Sequence, residues 1–246
     1  MSGHSKWATI KHKKAATDSK RGKLFTKLIK MLTVAAKNGG GNPDTNPSLR
    51  LAIDKAKEAN MPQDNIDRAI KKGTGELPGV TYESISYEGY GPGGVAFYVD
   101  VLTDNKNRVA SEVRNIFSKS GGNLAVAGAV SRLFEKKGLF IVNKKDASED
   151  QLMAIILDAG AEDMSDEGET FEIQCQPPDY EKVKKALEAA KIKIESSEVT
   201  LLPKNTVKVT GDQAKKVLSL VEELEDNDDV QNVYANFDIP DDMLKE

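Results

Sequence analysis

RLFEKKGLFIVN (132–143), EDQLMAIILDA (149–159), AEDMS (161–165), TFEIQCQ (170–176), YEKVKKALEAA (180–190) and IKIESSEVTLL (192–202) follow one another with little between them. Their patterns read in turn as strand, helix, strand, strand, helix and strand. That order predicts a split βαββαβ unit of the ferredoxin-like kind. Upstream, Ile85 and Tyr87 share one strand face, Gly89–Gly94 turns the chain, and Val95, Phe97, Val99 and Val101 line the next strand. Val109, Val113, Ile116 and Phe117 then recur at helical spacing. Downstream lie a strand at Val207–Thr210, a helix at Gln213–Leu224 and a strand at Val230–Phe237. Neither flank makes a sheet of adequate size alone. Residues 80–130 and 204–246 are therefore expected to form one discontinuous α/β middle domain, with the ferredoxin-like domain, 131–203, inserted into it.

Further upstream the period is helical throughout. Residues 1–75 are expected to form a basic helical domain with a mobile N-terminal arm over 1–19. Its helices are read at Lys20–Lys37, Asn46–Asn60 and Pro62–Gly73, with Pro47 suited to a first turn and Asn38–Pro43 a glycine-rich stop. The predicted class is α+β: an N-terminal three-helix domain plus two α/β domains, one ferredoxin-like and inserted into the other.

Whole-chain net charge is −4, which hides a division. Residues 1–40 carry ten lysines and arginines against one acid, Asp18, for a net +9. Residues 1–75 stand at +10 and the remainder at −14. Such asymmetry marks a polyanion-binding segment on an acidic body. Within it, Lys6, Lys11, His12, Lys13 and Lys14 surround Trp7, the single tryptophan, in the expected arm. At about 100° per residue, Lys20, Lys23, Lys27, Lys30 and Lys37 fall within an arc of about 100°. Leu24, Phe25, Leu28, Ile29, Leu32, Ala35 and Ala36 lie opposite, so one face is read as packing and the other as a row of ammonium groups. Together with Arg21 these residues are the expected nucleic-acid contacts. Lysines neutralise phosphates without reading sequence, and Trp7 is suited to stacking on an unpaired base. Arg108 and Arg114, on the helix after Asp104-Asn105, are secondary candidates.

Other chemistry finds little footing. Gly89, Gly91 and Gly94 satisfy G-x-G-x-x-G, but Pro92 interrupts the pattern and a strand, not a helix, follows. The one cysteine, Cys175, shares a strand face with Phe171 and Ile173 and is read as a buried thiol. Two histidines and no nucleophile–base pairing argue for a protein that is not an enzyme and holds no metal and no cofactor. Apolar runs are too short for a membrane span, so no membrane partner is expected. The opening residues, with one arginine, do not read as a presequence, and a cytoplasmic location is expected.

Several motifs carry a resemblance. They are Gly3-His4-Ser5-Lys6-Trp7, Lys20-Arg21-Gly22-Lys23-Leu24-Phe25-Thr26-Lys27 and Ala36-Lys37-Asn38-Gly39-Gly40-Gly41-Asn42-Pro43. Tyr87-Glu88-Gly89-Tyr90-Gly91-Pro92-Gly93-Gly94, Asp104-Asn105-Lys106-Asn107-Arg108 and Phe117-Ser118-Lys119-Ser120-Gly121-Gly122-Asn123-Leu124 complete the set. In this order they resemble the YebC/PmpR family. The resemblance implies three domains, a cytoplasmic bacterial protein or a mitochondrial relative, no enzymatic activity and no cofactor. It also implies one of two functions. One is a DNA-binding transcriptional regulatory protein. The other is a ribosome-associated translation factor, similar to the mitochondrial translational activator of cytochrome oxidase, that contacts ribosomal RNA and relieves stalling at proline-rich stretches. A small-molecule-sensing or protein-interaction module built on the ferredoxin-like unit is the alternative of another class.

Overall fold

Among the described residues, three helices come first: α1 (Asp18–Gly39), α2 (Pro47–Glu58) and α3 (Gln63–Thr74). The computed structural model describes the backbone of residues 18–240 and the side chains of 22–240. Leu28, Leu32, Ala35 and Ala36 of α1 pack on Leu49, Ala52 and Ala56 of α2 and on Ile66 and Ala69 of α3. The first turn is set by Asn46. Its Oδ1 accepts from the Leu49 backbone N–H at 3.1 Å, while its Nδ2 donates to the carbonyls of Ala35 and Gly40, both at 2.8 Å. One buried side chain thus caps α2 and holds the end of α1 against it. Gly73 brings α3 onto α1: a Cβ there would lie 2.4 Å from the Thr33 carbonyl oxygen and 2.8 Å from Ala36 Cβ. Only glycine allows so close a helix contact.

The middle domain begins with β1 (Glu83–Tyr90), β2 (Ala96–Thr103), α4 (Lys106–Lys119) and the short β3 (Asn123–Leu124). After the insertion it resumes, with β8 (Val207–Lys208), α7 (Gly211–Asp226), β9 (Val230–Ala235) and β10 (Phe237–Asp238). Its main sheet runs β3-β1-β2-β9, and all three pairings are antiparallel. Phe97, Val99 and Val101 of β2 meet Val109, Val113 and Phe117 of α4 and Val217, Leu220 and Leu224 of α7 in one core. Phe97 and Phe117 touch edge to face at 5.7 Å. The segment Val207–Thr210 does not join the main sheet as its alternation suggested. β8 pairs instead with β10, in parallel, as a separate two-stranded patch. Its two residues are too few to supply a ladder along β2.

The chain divides into two compact units, Arg132–Thr206 forming one and the described residues up to Ser131 and from Val207 the other. Within the first lie β4 (Phe134–Asn143), α5 (Glu149–Ala159), β5 (Ala161–Asp166), β6 (Thr170–Cys175), α6 (Tyr180–Ala189) and β7 (Ile194–Pro203). The sheet order β5-β6-β4-β7, antiparallel throughout, is the ferredoxin-like arrangement. Phe140 stacks on Tyr180 at 4.8 Å over a core that includes Leu152, Ile156, Ile173 and Val183. Cys175 lies in that core, and burial pushes its thiol up to about 11, leaving it inert at neutral pH. The whole is an α+β fold, with α-helices first and two sheet-containing domains after.

Candidate nucleic-acid interface

Helical periodicity puts Lys23, Lys27 and Lys30 on one face of α1. The structure turns that face toward the middle domain. Lys23 Nζ lies 2.8 Å from Asp226 Oδ1 and donates to the Asp226 carbonyl at 3.2 Å. Lys27 Nζ donates to the Glu225 carbonyl at 2.5 Å. Lys30 Nζ reaches the Asp228 carbonyl at 2.9 Å and Asp229 Oδ1 at 2.5 Å. A helix leaves its last carbonyls unsatisfied and its C-terminus partially negative. The last turn of α7 adds the acids Glu225 and Asp226, and Asp228 and Asp229 follow. Lys23 and Lys27 therefore cap the end of α7 from another domain, and Lys30 binds the turn that follows it. The row expected to face solvent is instead a latch over this length, because the middle domain supplies its own anionic surface.

Asp229 is the centre of the latch. It is 5% exposed and Lys30 6%. Its second oxygen accepts from Arg108 Nη2 at 2.7 Å and from the Thr103 hydroxyl at 2.9 Å. Burial alone would raise the Asp229 carboxyl, but hydrogen bonds from Lys30, Arg108 and Thr103 outweigh it and hold the group below its ordinary range. Arg108, expected as a secondary phosphate contact, also binds Asp104 at 2.8 Å, and these partners raise its guanidinium further. Its own backbone N–H is capped by Asn105 Oδ1 at 3.0 Å. Arg114 is exposed on α4.

Lys37, at the far end of α1, is exposed. It lines a groove with Lys72, which sequence reasoning passed over as an ordinary charge on α3. Lys20 and Arg21 belong to α1, but their side chains are outside the described residues. So are Lys6, Trp7, Lys11, His12, Lys13 and Lys14, the expected arm. Among the described residues no group of three or more His, Cys, Asp or Glu side chains could hold a metal ion, and no helix is long and apolar enough to cross a membrane.

The glycine-rich loop after β1 serves packing. A Cβ on Gly89 would meet Phe117 at 2.7 Å, and one on Gly91 would meet Phe97 at 2.6 Å. Between them in purpose sits Glu88, also passed over in the sequence. Its buried carboxylate accepts backbone N–H groups from Gly128 at 2.8 Å, Val130 at 2.6 Å and Ser131 at 3.0 Å. Burial pulls its carboxyl upward, yet these bonds prevail and lower it. Glu88 thus pins the loop from which the chain leaves for the inserted unit. The available signal was an acid inside the strand, followed directly by the glycine-rich turn, whereas the strand's other acid, Glu83, stands at its exposed start.

Residues 5–76 match the TACO1/YebC protein N-terminal domain, and residues 82–237 match the TACO1/YebC second and third domain. The chain belongs to the TACO1/YebC family. Among TACO1/YebC relatives, a protein of Natranaerobius thermophilus is 59% identical, covering 100% of this chain and 99% of its own length. One from Desulfatibacillum aliphaticivorans is also 59% identical, with 100% of both chains covered. Each is named a probable transcriptional regulatory protein. The crystal structure of a conserved hypothetical protein from Aquifex aeolicus shares the TACO1/YebC fold, with a TM-score of 0.84 and 49% identity over 95% of this chain and 96% of that one.

Proposed function

We propose that this chain is a non-enzymatic, nucleic-acid-binding regulator of gene expression that meets its polyanion through the N-terminal basic segment. The observation that carries the reading is the division of charge, +9 over residues 1–40 on a body that stands at −14 beyond residue 75. Because Lys23, Lys27 and Lys30 are held by the end of α7, phosphate contact falls to Lys6, Lys11, Lys13 and Lys14, with Lys20, Arg21 and Lys37 beside them. His12 adds a hydrogen-bond donor. The relatives' name supports a transcriptional role, and in that role the N-terminal lysines would meet duplex DNA. Lysines position a duplex without reading it, so specificity would come from DNA shape or from further contacts.

A second reading is favoured by Trp7. A single tryptophan amid five cationic or imidazole side chains suits stacking on an unpaired base, as folded ribosomal RNA presents. The test is ribosome sedimentation from lysate at graded salt, beside shift assays on promoter and scrambled duplexes. The variant is Lys11→Glu/Lys13→Glu/Lys14→Glu. Preference for a promoter without ribosome association, lost in the variant, supports the transcriptional form. Ribosome co-migration lost in the variant supports the RNA form. Binding to neither overturns the proposal.

A further inference from the structure

Two basic features remain once the latch is set aside, and they sit at opposite ends of α1. The arm precedes its first turn. Lys37 lies in its last turn, about 25 Å from Lys20 along the axis at about 1.5 Å per residue. At that far end the close crossing at Gly73 brings the last turns of α1 and α3 together, so that Lys37 and Lys72 face one groove. The other wall is the linker after α3, with Leu77, Val80 and Tyr82 along it and Val34 of α1 at the base. The stem of Lys72 runs against Gly79, at 3.2 to 3.5 Å from where a Cβ would stand. Neither Lys37 nor Lys72 has an ion-pair partner among the described residues. The nearest acid of the linker, Glu76, is engaged by the Thr74 hydroxyl at 2.8 Å. Leu77 is 38% exposed and Val80 54%, so the linker wall shows apolar surface directly beside the two charges.

We infer that this groove takes an unpaired nucleotide of the bound nucleic acid, its phosphate between Lys37 and Lys72 and its base against Leu77 and Val80. The inference rests on the nucleic-acid reading above. The chemistry of the walls selects the occupant. Two uncompensated ammonium groups want an anion, and an adjoining apolar strip wants a flat, poorly hydrated group. An unpaired nucleotide joins both kinds of group in one unit, and a duplex, whose bases are stacked inside, offers only the first. The groove then supplies a phosphate contact beyond the latched lysines of α1.

The test uses the full chain and two labelled probes, a 20-nucleotide oligothymidylate and a duplex of the same length, titrated by fluorescence anisotropy across a salt series. Each phosphate contact to a single strand contributes about 0.7 to the slope of log affinity against log salt. Lys37→Gln/Lys72→Gln is expected to flatten the single-strand slope by about 1.4 and to weaken binding. Leu77→Asn/Val80→Asn is expected to weaken single-strand binding with the slope unchanged, and to weaken duplex binding less. All four side chains are at the surface, and thermal melting within a few degrees of wild type checks that each variant is folded. Single-strand affinity and slope equal to wild type in the lysine variant overturn the groove, and so does equal weakening of both probes by the apolar variant. If arm variants lose binding while groove variants do not, the groove fails and the nucleic-acid reading stands. If the wild-type chain binds neither probe the groove fails, and if it also does not sediment with ribosomes the nucleic-acid reading fails with it.

Discussion

Lys30 Nζ of α1 lies 2.5 Å from Asp229 Oδ1, both side chains less than a tenth exposed, joining residues that stand 199 apart in sequence. A buried pair of this kind is costly to break from one side, because the remaining charge stays desolvated. Lys30→Met leaves Asp229 with Arg108 and Thr103, so the loss is partial: about 2–4 kcal/mol by urea unfolding. In a double-mutant cycle, Lys30→Met/Asp229→Asn should cost clearly less than the sum of the single changes. Additive losses would remove the latch as an energetic unit.

The same carboxylate predicts a pH dependence. Asp229 and Glu88 are both held below their ordinary values in the folded chain. The native state therefore binds these protons less readily than the unfolded chain, whose carboxyls titrate near about 4. Their stabilisation is present above about pH 4 and is lost as pH falls through the lower native values. Urea midpoints taken from pH 7 to pH 3 should fall less steeply for Asp229→Asn than for wild type. Parallel curves would show that Asp229 does not titrate as described.

Glu88→Gln keeps one acceptor oxygen but presents an amide donor to N–H groups now bound at the other. The loop at Gly128–Ser131 should lose about 1–3 kcal/mol of local stability. Hydrogen exchange is the direct measurement: the amides of Gly128, Val130 and Ser131 should exchange markedly faster, with those of β2 unchanged. Unaltered protection would show that the loop is held by other contacts.

Gly73→Ala places a methyl group 2.4 Å from the Thr33 carbonyl oxygen, so α1 and α3 must part. Alanine is otherwise the better helix former. Overpacking should nonetheless prevail, lowering stability by about 1–3 kcal/mol. A more stable variant would mean the two helices separate without loss.

The βαββαβ order was legible because each segment keeps its own period, and a sheet with those connections has few alternatives. The face of α1 that carries Lys23, Lys27 and Lys30 was legible too, since periodicity reports side-chain direction. What that face meets was not. Its partners at Glu225–Asp229 lie about two hundred residues downstream in a stretch whose charge reads equally as solvated surface. A positive block and a negative block in one chain are as consistent with each other as with an external polyanion, and only the packing of α7 beside α1 decides between them. Glu88 and Lys72 escaped for a related reason. The first binds backbone N–H groups some forty residues on, and the second is set beside Lys37 by a helix crossing made by Gly73.

The division of labour along the N-terminus is tested most directly by the salt dependence of duplex binding. On duplex DNA each contact contributes about 0.9 to the slope. Neutralising the arm with Lys6→Gln/Lys11→Gln/Lys13→Gln/Lys14→Gln should flatten the slope by about 3.6, while Lys23→Gln/Lys27→Gln should leave it where it stands in wild type. A slope that flattens for the α1 lysines and not for the arm would contradict the account.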